Sequence, residues 1–494
     1  FSVEDLADGI RFGTTDPENF GEWSGFLYQG KRGHIRVNEE GMDFEIDNLL
    51  RVQTDAPACL RQFVVDKEVG LHFRCDTMHP TIIRIETSAS GGEQTLSVPA
   101  ERDQVLTLPQ IGTVKNRDKT RRFVMPTKRE MFYNRMAVPP SGPVPNWEFG
   151  FWNATIDNWH SQGLPPEIDS QPKLYRHVGI DSPHFGGGYF LPAAKFRLAP
   201  GFPDQLVETR DDTEIRIDND GVTYQVQREG NRTIPHFLDY PIKGREDWER
   251  EYKARLNPDT PGRYPEVDWD KVNRQFDESG APRFLFLDSF MGYIRNLLGF
   301  EGFAMLPYDD LGLFEEMVET MTQIKERWLD RLEGHTTIDM VHYWEDICYN
   351  AGPMIHPDVF RDIVAPRIKR VNDRIREQFD CRYFCVDCDG NFDALLPGWI
   401  EAGVNILMPC EVDAGMDINR LQSEYLGRCG FHGGIQKKAL TEGEDAIRAE
   451  LERVRPAVER GGYIPHLDHG CPANVPWQAY QRYLQLKREV LGCV

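Results

Sequence analysis

Acids and histidines recur at the ends of apolar, strand-like runs in this sequence. They are Glu148, Asp288, His342 with Glu345, Asp387 with Asp389, Glu411, His432, and the late trio His466, Asp468 and His469. Side chains of these types hold hard or borderline metal ions, or give and take protons near neutrality. A strand-end carboxylate can equally cap the next helix or pair with arginine, so each must be weighed against that plainer role. His335 and His356 flank helices and read as structural. Gly433-Gly434 follows a strand, where its backbone N–H groups could meet a ligand carboxylate or phosphate, or simply make a tight turn. Gly186-Gly187-Gly188 lacks the Lys-Ser/Thr tail of a phosphate loop.

A repeated unit positions these residues. From about residue 283, the runs RFLFLD, IDMVHYW, RYFCVD, VNILMPCE, CGFHGG and GYIPHLDHG are each followed by a helical stretch. The longest spans about 309–333, with Leu313, Phe314, Met317, Met321, Ile324 and Trp328 at helical spacing and Gly334 beyond its end. Thr441-x-x-Glu444 reads as a capping box, and Asn474 as the cap of the last helix with Pro476 near its first turn. Strand–helix units in series build a parallel sheet. No Gly-rich dinucleotide fingerprint follows the early strands, while strand after strand ends in ionisable residues. That favours α/β architecture of the closed kind, a (β/α)8 TIM barrel with its site at the C-terminal face. PNWEFG near 145 and a segment between 170 and 195 would complete the eight strands.

The barrel is thereby assigned to residues 123–494, with an insertion over about 196–265 that contains a β-hairpin around Asn219-Asp220-Gly221. Residues 1–115 alternate with a period of two between turn signals, as a β-sandwich-like accessory domain would. KNRDKTRR (115–122) reads as a linker. Trp23, Phe26 and Tyr28 in the first domain are either core or a platform for sugar.

Lys and Arg number 57 against 79 Asp and Glu, a net charge of −22. Such a surface repels phosphate backbones, so no nucleic-acid partner is expected. No run is apolar for the length of a membrane span. The opening FSVEDLADGI shows no basic-then-apolar leader, and ten cysteines gathered mostly late fit reduced thiols, so a cytoplasmic location is expected. Cys381-x-x-x-Cys385-x-x-Cys388 has the spacing of a radical-enzyme iron–sulfur motif. It overlaps a strand, though, whose alternation would keep the three thiols from meeting one cluster.

Longer stretches carry a resemblance. TKREMFYNRM, PVPNWEFGFWNATIDNWHSQGLP, LDYPIKGREDWE, WEDICYNAGPMIHPDVFRDIVAPRIKRV, DCDGNFDALLPGWIEAGVNILMPCEVDAGMD, FHGGIQKKAL and GYIPHLDHGCPANVP together resemble the uroporphyrinogen decarboxylase superfamily from about residue 127 onward. That superfamily includes zinc-dependent corrinoid:thiol methyltransferases. The decarboxylases' N-terminal Arg-Gln-Ala-Gly-Arg-Tyr segment, whose arginines bind porphyrinogen carboxylates, has no counterpart here. An acidic porphyrinogen needs such cations, so it is a poor substrate candidate. Aligned on Gly390, the methyltransferases' zinc positions fall on Asp387, Asp389 and His469, with Cys471 two residues on. This harder set suits zinc first, and also manganese or iron.

The resemblance implies methyl transfer to or from a small methylated substrate or thiol, assisted by a divalent metal. Corrinoid would arrive only on a partner protein, because the chain has no Asp-x-His-x-x-Gly module. The catalytic set would be His469, Asp389, Glu345 and Glu411, the metal set Asp387, Asp389 and His469, and the substrate-binding set Glu148, His342, His432, Gly433 and Gly434. The alternative is metal-free decarboxylation of a small or tetrapyrrole acid by His469 and a carboxylate. A second alternative is carbohydrate or partner binding through the N-terminal domain. A homodimer is left open.

Overall fold

The computed structural model describes residues 126–183, 188–228 and 235–494, together with the backbone of the strands between Ser2 and Thr107. The chain divides into Phe1–Met125 and Pro126–Val494. In the first unit the strands form two antiparallel sheets, one of five strands and one of six. The basic stretch 115–122, Gly186, Gly187 and the side chains of Trp23, Phe26 and Tyr28 lie outside the described residues.

In the second unit six parallel strands run in sequence order: Phe284–Phe286, Met340–Trp344, Tyr383–Asp387, Ile406–Met408, Gly430–Ile435 and Tyr463–Leu467. Two extended segments close the ring. Phe190 bridges Phe284 in parallel, and Phe151 bridges Cys471 beyond the last strand. The two segments join each other where Asp181 N–H donates to Asn146 O at 3.2 Å. The result is the expected TIM barrel, whose first two strands are too irregular to form a long ladder.

The helices form because their apolar residues recur every three or four positions and face the barrel. Helix Leu311–Leu332 buries Leu313, Phe314, Met317, Val318, Met321, Ile324, Trp328 and Leu329, and Asp310 caps it by accepting from Leu313 N–H at 2.9 Å. Thr441 does not make the expected capping box. It ends a short 3₁₀ turn, Gly443 takes the cap position, and Glu444 turns instead to Arg482 at 2.6 Å. The box that does form is Thr127 with Glu130, at the start of helix Lys128–Met136. In the last helix, Trp477–Leu491, Pro476 rather than Asn474 is the cap. Pro476 has no side-chain acceptor, and Gln162 supplies one to Trp477 N–H at 2.9 Å.

Helix Lys128–Met136 plugs the N-terminal end of the barrel. Phe132 is fully buried against Trp147, Phe284 and Tyr383, with ring centroids 5.1–5.9 Å apart. Among the described residues that end is filled by aromatic packing, which leaves the end where the strands finish to receive a ligand.

The insertion is larger than a hairpin: a four-stranded antiparallel sheet between Gln205 and Asp239. Its central turn does fall at Asn219-Asp220-Gly221. Gly221 has φ +87°, and a side chain there would strike the Tyr252 hydroxyl. Asp218 accepts from the N–H groups of Asp220 and Val222, which pins the turn.

A buried ion pair ties the first strand to the last helix. Lys487 Nζ lies 2.6 Å from Glu148 Oε1, which also accepts from Tyr483 OH at 2.8 Å, and Leu467 N–H reaches Glu148 Oε2 at 3.2 Å. Removing one partner strands the other in a dry interior. Lys487→Met should therefore lower the unfolding free energy by about 3–5 kcal/mol, read as a loss of urea midpoint. The Glu148→Leu/Lys487→Met double variant should recover at least half of the loss. Equal stability of the single variant and wild type would refute the role.

Candidate active site at the barrel mouth

Alternation along each strand decides which strand-end residues reach the mouth. In Met340–Trp344, Val341 and Tyr343 face the helices, and Tyr343 OH meets Asn372 of helix Ala365–Phe379 at 2.6 Å. Glu345 continues that outward face. Its two oxygens accept the N–H groups of Phe290, Met291 and Gly292 at 2.8–3.1 Å, so it caps helix Gly292–Asp309. Burial pushes its carboxyl up to about 7, against the pull of those N–H groups and of buried Lys325. Glu148 is also outward, in the ion pair described above. Glu345, expected as catalytic, and Glu148, expected at the substrate, thus both have their oxygens bound by scaffold groups.

The other parity leads inward. His342, Trp344 and Asp346 share one face, and Asp387 and Asp389 continue the equivalent face of the neighbouring strand. Asp346, Asp387 and Asp389 each offer an oxygen, and these atoms lie within 4.8 Å of one another. Asp389 N–H donates to Asp346 Oδ1 at 3.1 Å. Burial and then the Asp389 charge hold the Asp346 carboxyl at about 6. Asp387 is pushed well above the usual carboxylate range by burial, then by Asp346, Asp389 and Glu411. Asp346 is absent from the expected set, although counting by two from His342 reaches it.

His469 completes the cluster from the loop after the last strand. Its Nε2 is 3.2 Å from Asp389 Oδ2. The imidazole lies 4.9 Å from the Phe149 ring and is stacked on Trp152 at 5.8 Å. Burial opposes its charged form, but the hydrogen bond and charge of Asp389, with Glu411, outweigh that and raise its pKa. Glu411 sits at the edge. It accepts from Gly390 N–H at 2.9 Å and pairs with Lys437 at 3.5 Å.

The remaining expected residues lie deeper or serve the loops. His342 forms the floor, its Nε2 3.9 Å from Asp387 Oδ2, and burial lowers its pKa to about 4. His432 is buried below, its ring 5.7 Å from Trp147 and 6.3 Å from His466. Asp468 is fully buried and holds the N–H groups of Val412 and Lys437. Gly434 gives its N–H to Pro409 O at 3.0 Å, and a Cβ on Gly433 would collide with that carbonyl. This pair therefore makes a close backbone approach rather than a ligand cradle. Cys381 and Cys388 stand at opposite ends of the Tyr383–Asp387 strand, roughly 20 Å apart along an extended chain.

Backbone strain concentrates here. Three of the described non-glycine residues with positive φ, Asp288 (+52°), Asp346 (+41°) and Cys410 (+59°), lie two residues beyond strand ends. Each such residue costs about 1–3 kcal/mol, which the surrounding hydrogen bonds must offset. The insertion also reaches the site: Asp220 Oδ1 accepts from Tyr293 OH at 2.6 Å, and Tyr293 lies in the first turn of helix Gly292–Asp309.

Residues 297–490 match the family model described as Uroporphyrinogen decarboxylase (URO-D). No curated protein matches the chain. Two solved structures are similar. A methyltransferase from Methanosarcina mazei shares 14% identity over 74% of this chain and 99% of its own, with a TM-score of 0.45. A B12-independent methionine synthase from Shewanella sp. W3-18-1, in complex with selenomethionine, shares 13% identity over 73% of this chain and 98% of its own, with a TM-score of 0.36. Likenesses of this size do not bear on chemistry. The family match falls on the strands and loops that carry Asp346, Asp387, Asp389 and His469.

Proposed function

We propose that this superfamily enzyme is a metal-assisted methyltransferase acting on a small methylated substrate or thiol, with corrinoid carried by a separate protein. The observation that supports it is the convergence of Asp346, Asp387 and Asp389 on one point at the barrel mouth. Asp346 and Asp387, whose proton affinity burial and the neighbouring carboxylates raise, are relieved by a divalent cation, and three hard oxygens with a nearby imidazole suit zinc, manganese or iron. Asp346, Asp387 and Asp389 would hold the ion, with His469 as a fourth donor in place of its bond to Asp389. A cation there would polarise a substrate oxygen or ionise a thiol.

The chain's own residues supply the rest. Phe149 and Trp152 hold the His469 ring at the mouth, with its Nε2 beside Asp389, where it could turn to a bound ion. Lys437 offsets part of the negative charge on Glu411 and Asp468, so the loops carrying them can stay close.

One observation favours a second reading. The raised pKa of His469 makes it a proton donor without any metal, as decarboxylation of a small acid requires.

Metal content and pH dependence separate the two. Purified protein should contain about one divalent ion per chain, measured by mass spectrometry, and Asp387→Asn or Asp389→Ala should lose most of it. Chelation should then abolish methyl transfer to a corrinoid protein. Metal-free wild type, with carbon dioxide released from an acid in the presence of chelator, would overturn methyl transfer. The pH profiles also differ. A donor His469 loses activity as pH rises above its elevated pKa, beyond 6.5, whereas a carboxylate metal site gains activity as pH rises through about 6, where Asp346 ionises.

A further inference from the structure

Beside the acid cluster stands a cation that the scaffold does not use. Trp344 ends its strand two residues before Asp346, on the same face, and two guanidiniums lie against its indole. Arg197 is 5.3 Å and Arg295 5.8 Å from the ring centroid. Arg197 is committed to Asp288 at 3.1 Å and lies over the Tyr293 ring at 5.3 Å. Arg295, in the first turn of helix Gly292–Asp309, has no ion-pair or hydrogen-bond partner for its side chain among the described residues. Its Nε is buried and unpartnered.

Arg295 nonetheless lies within the field of the acids, since its charge acts on Asp346. The Arg295 side chain is therefore held at the mouth by packing on Trp344, with its planar N–H fork left for something else. On a chain of net charge −22, a negatively charged ligand is repelled from three clustered aspartates and can be held only where a cation stands.

We propose that Arg295, with Arg197 on the same Trp344 indole, binds an oxyanion group of the substrate, a carboxylate, phosphate or sulfonate. The substrate's reacting end then points to Asp346, Asp387, Asp389 and His469. A guanidinium takes two oxygens of such a group at once, which fixes orientation as well as charge. The substrate is thus a small anion rather than a neutral or cationic methyl compound. This rests on the mouth being the reacting site, and not on which reaction occurs there.

Benzoate, with benzamide as its neutral match, tests the assignment by saturation-transfer NMR on the full chain as purified. Benzoate should bind and benzamide should not. Arg295→Gln should weaken benzoate binding about tenfold, and Arg295→Lys only two- to threefold, since the charge remains but the fork is lost. Asp387→Asn removes a carboxylate of the cluster and keeps both arginines, so it should retain benzoate. Equal binding of benzoate and benzamide, no binding of either, or no change in Arg295→Gln would overturn the proposal. So would loss of benzoate only in Asp387→Asn, which would place its carboxylate on a bound cation. A chain that proves metal-free, or inert in methyl transfer, leaves the benzoate result to stand or fall by itself.

Discussion

Carboxylates brought within 4.8 Å of one another repel, and burial makes the repulsion worse by removing the water that would screen it. Asp346, Asp387 and Asp389 stay together because the backbone under them is fixed before their charges meet. Glu345 N–H bonds to Asp387 O at 2.8 Å, Cys388 N–H to Met408 O at 2.9 Å, and Asp389 N–H to the Asp346 side chain itself. The parallel ladder thus continues past the strand ends into the loops. The cost of the cluster appears as raised proton affinity and as the left-handed backbone at Asp346. Such a strained, charge-dense point persists only on a scaffold that leaves it no alternative.

The scaffold gets that rigidity from buried acids bound to its own N–H groups and to Lys487. Glu345 gathers three N–H groups at the start of one helix, Glu148 binds the last helix through Lys487, and Asp468 holds two loop N–H groups. Each is buried and each replaces water with fixed donors. At the opposite end Phe132 and its aromatic neighbours fill the barrel, so the interior tapers from a dry plug to a polar mouth. His342 and His432 lie between the two. Burial keeps His342 neutral, and the ring packs between Phe190 and Phe286 as an apolar body would.

Much of this was legible in the residues. Six strand–helix units, the helix over 309–333 and the turn at Asn219-Asp220-Gly221 follow from periodicity and turn chemistry, which act over a few residues and need no partner. The capping box expected at Thr441 does not form, for the converse reason. A capping box needs the chain to enter the helix three residues before Glu444, and the 3₁₀ turn delays entry until Gly443. The short first two strands were visible only as segments, since bridges such as Phe190 to Phe284 join residues far apart in sequence.

For the site, the sequence by itself determined that acids and histidines end successive strands, and the family resemblance grouped Asp387, Asp389 and His469. It also contained the alternation that separates Glu345 from Asp346. Only the tertiary structure decided which of the two alternating faces points into the barrel, because both faces of a parallel strand are apolar when helices cover the outside. That choice sent Glu148 and Glu345 to the helices and Asp346 to the mouth. It also placed Arg295 beside Trp344, a juxtaposition of two different strand–helix units that no local pattern encodes.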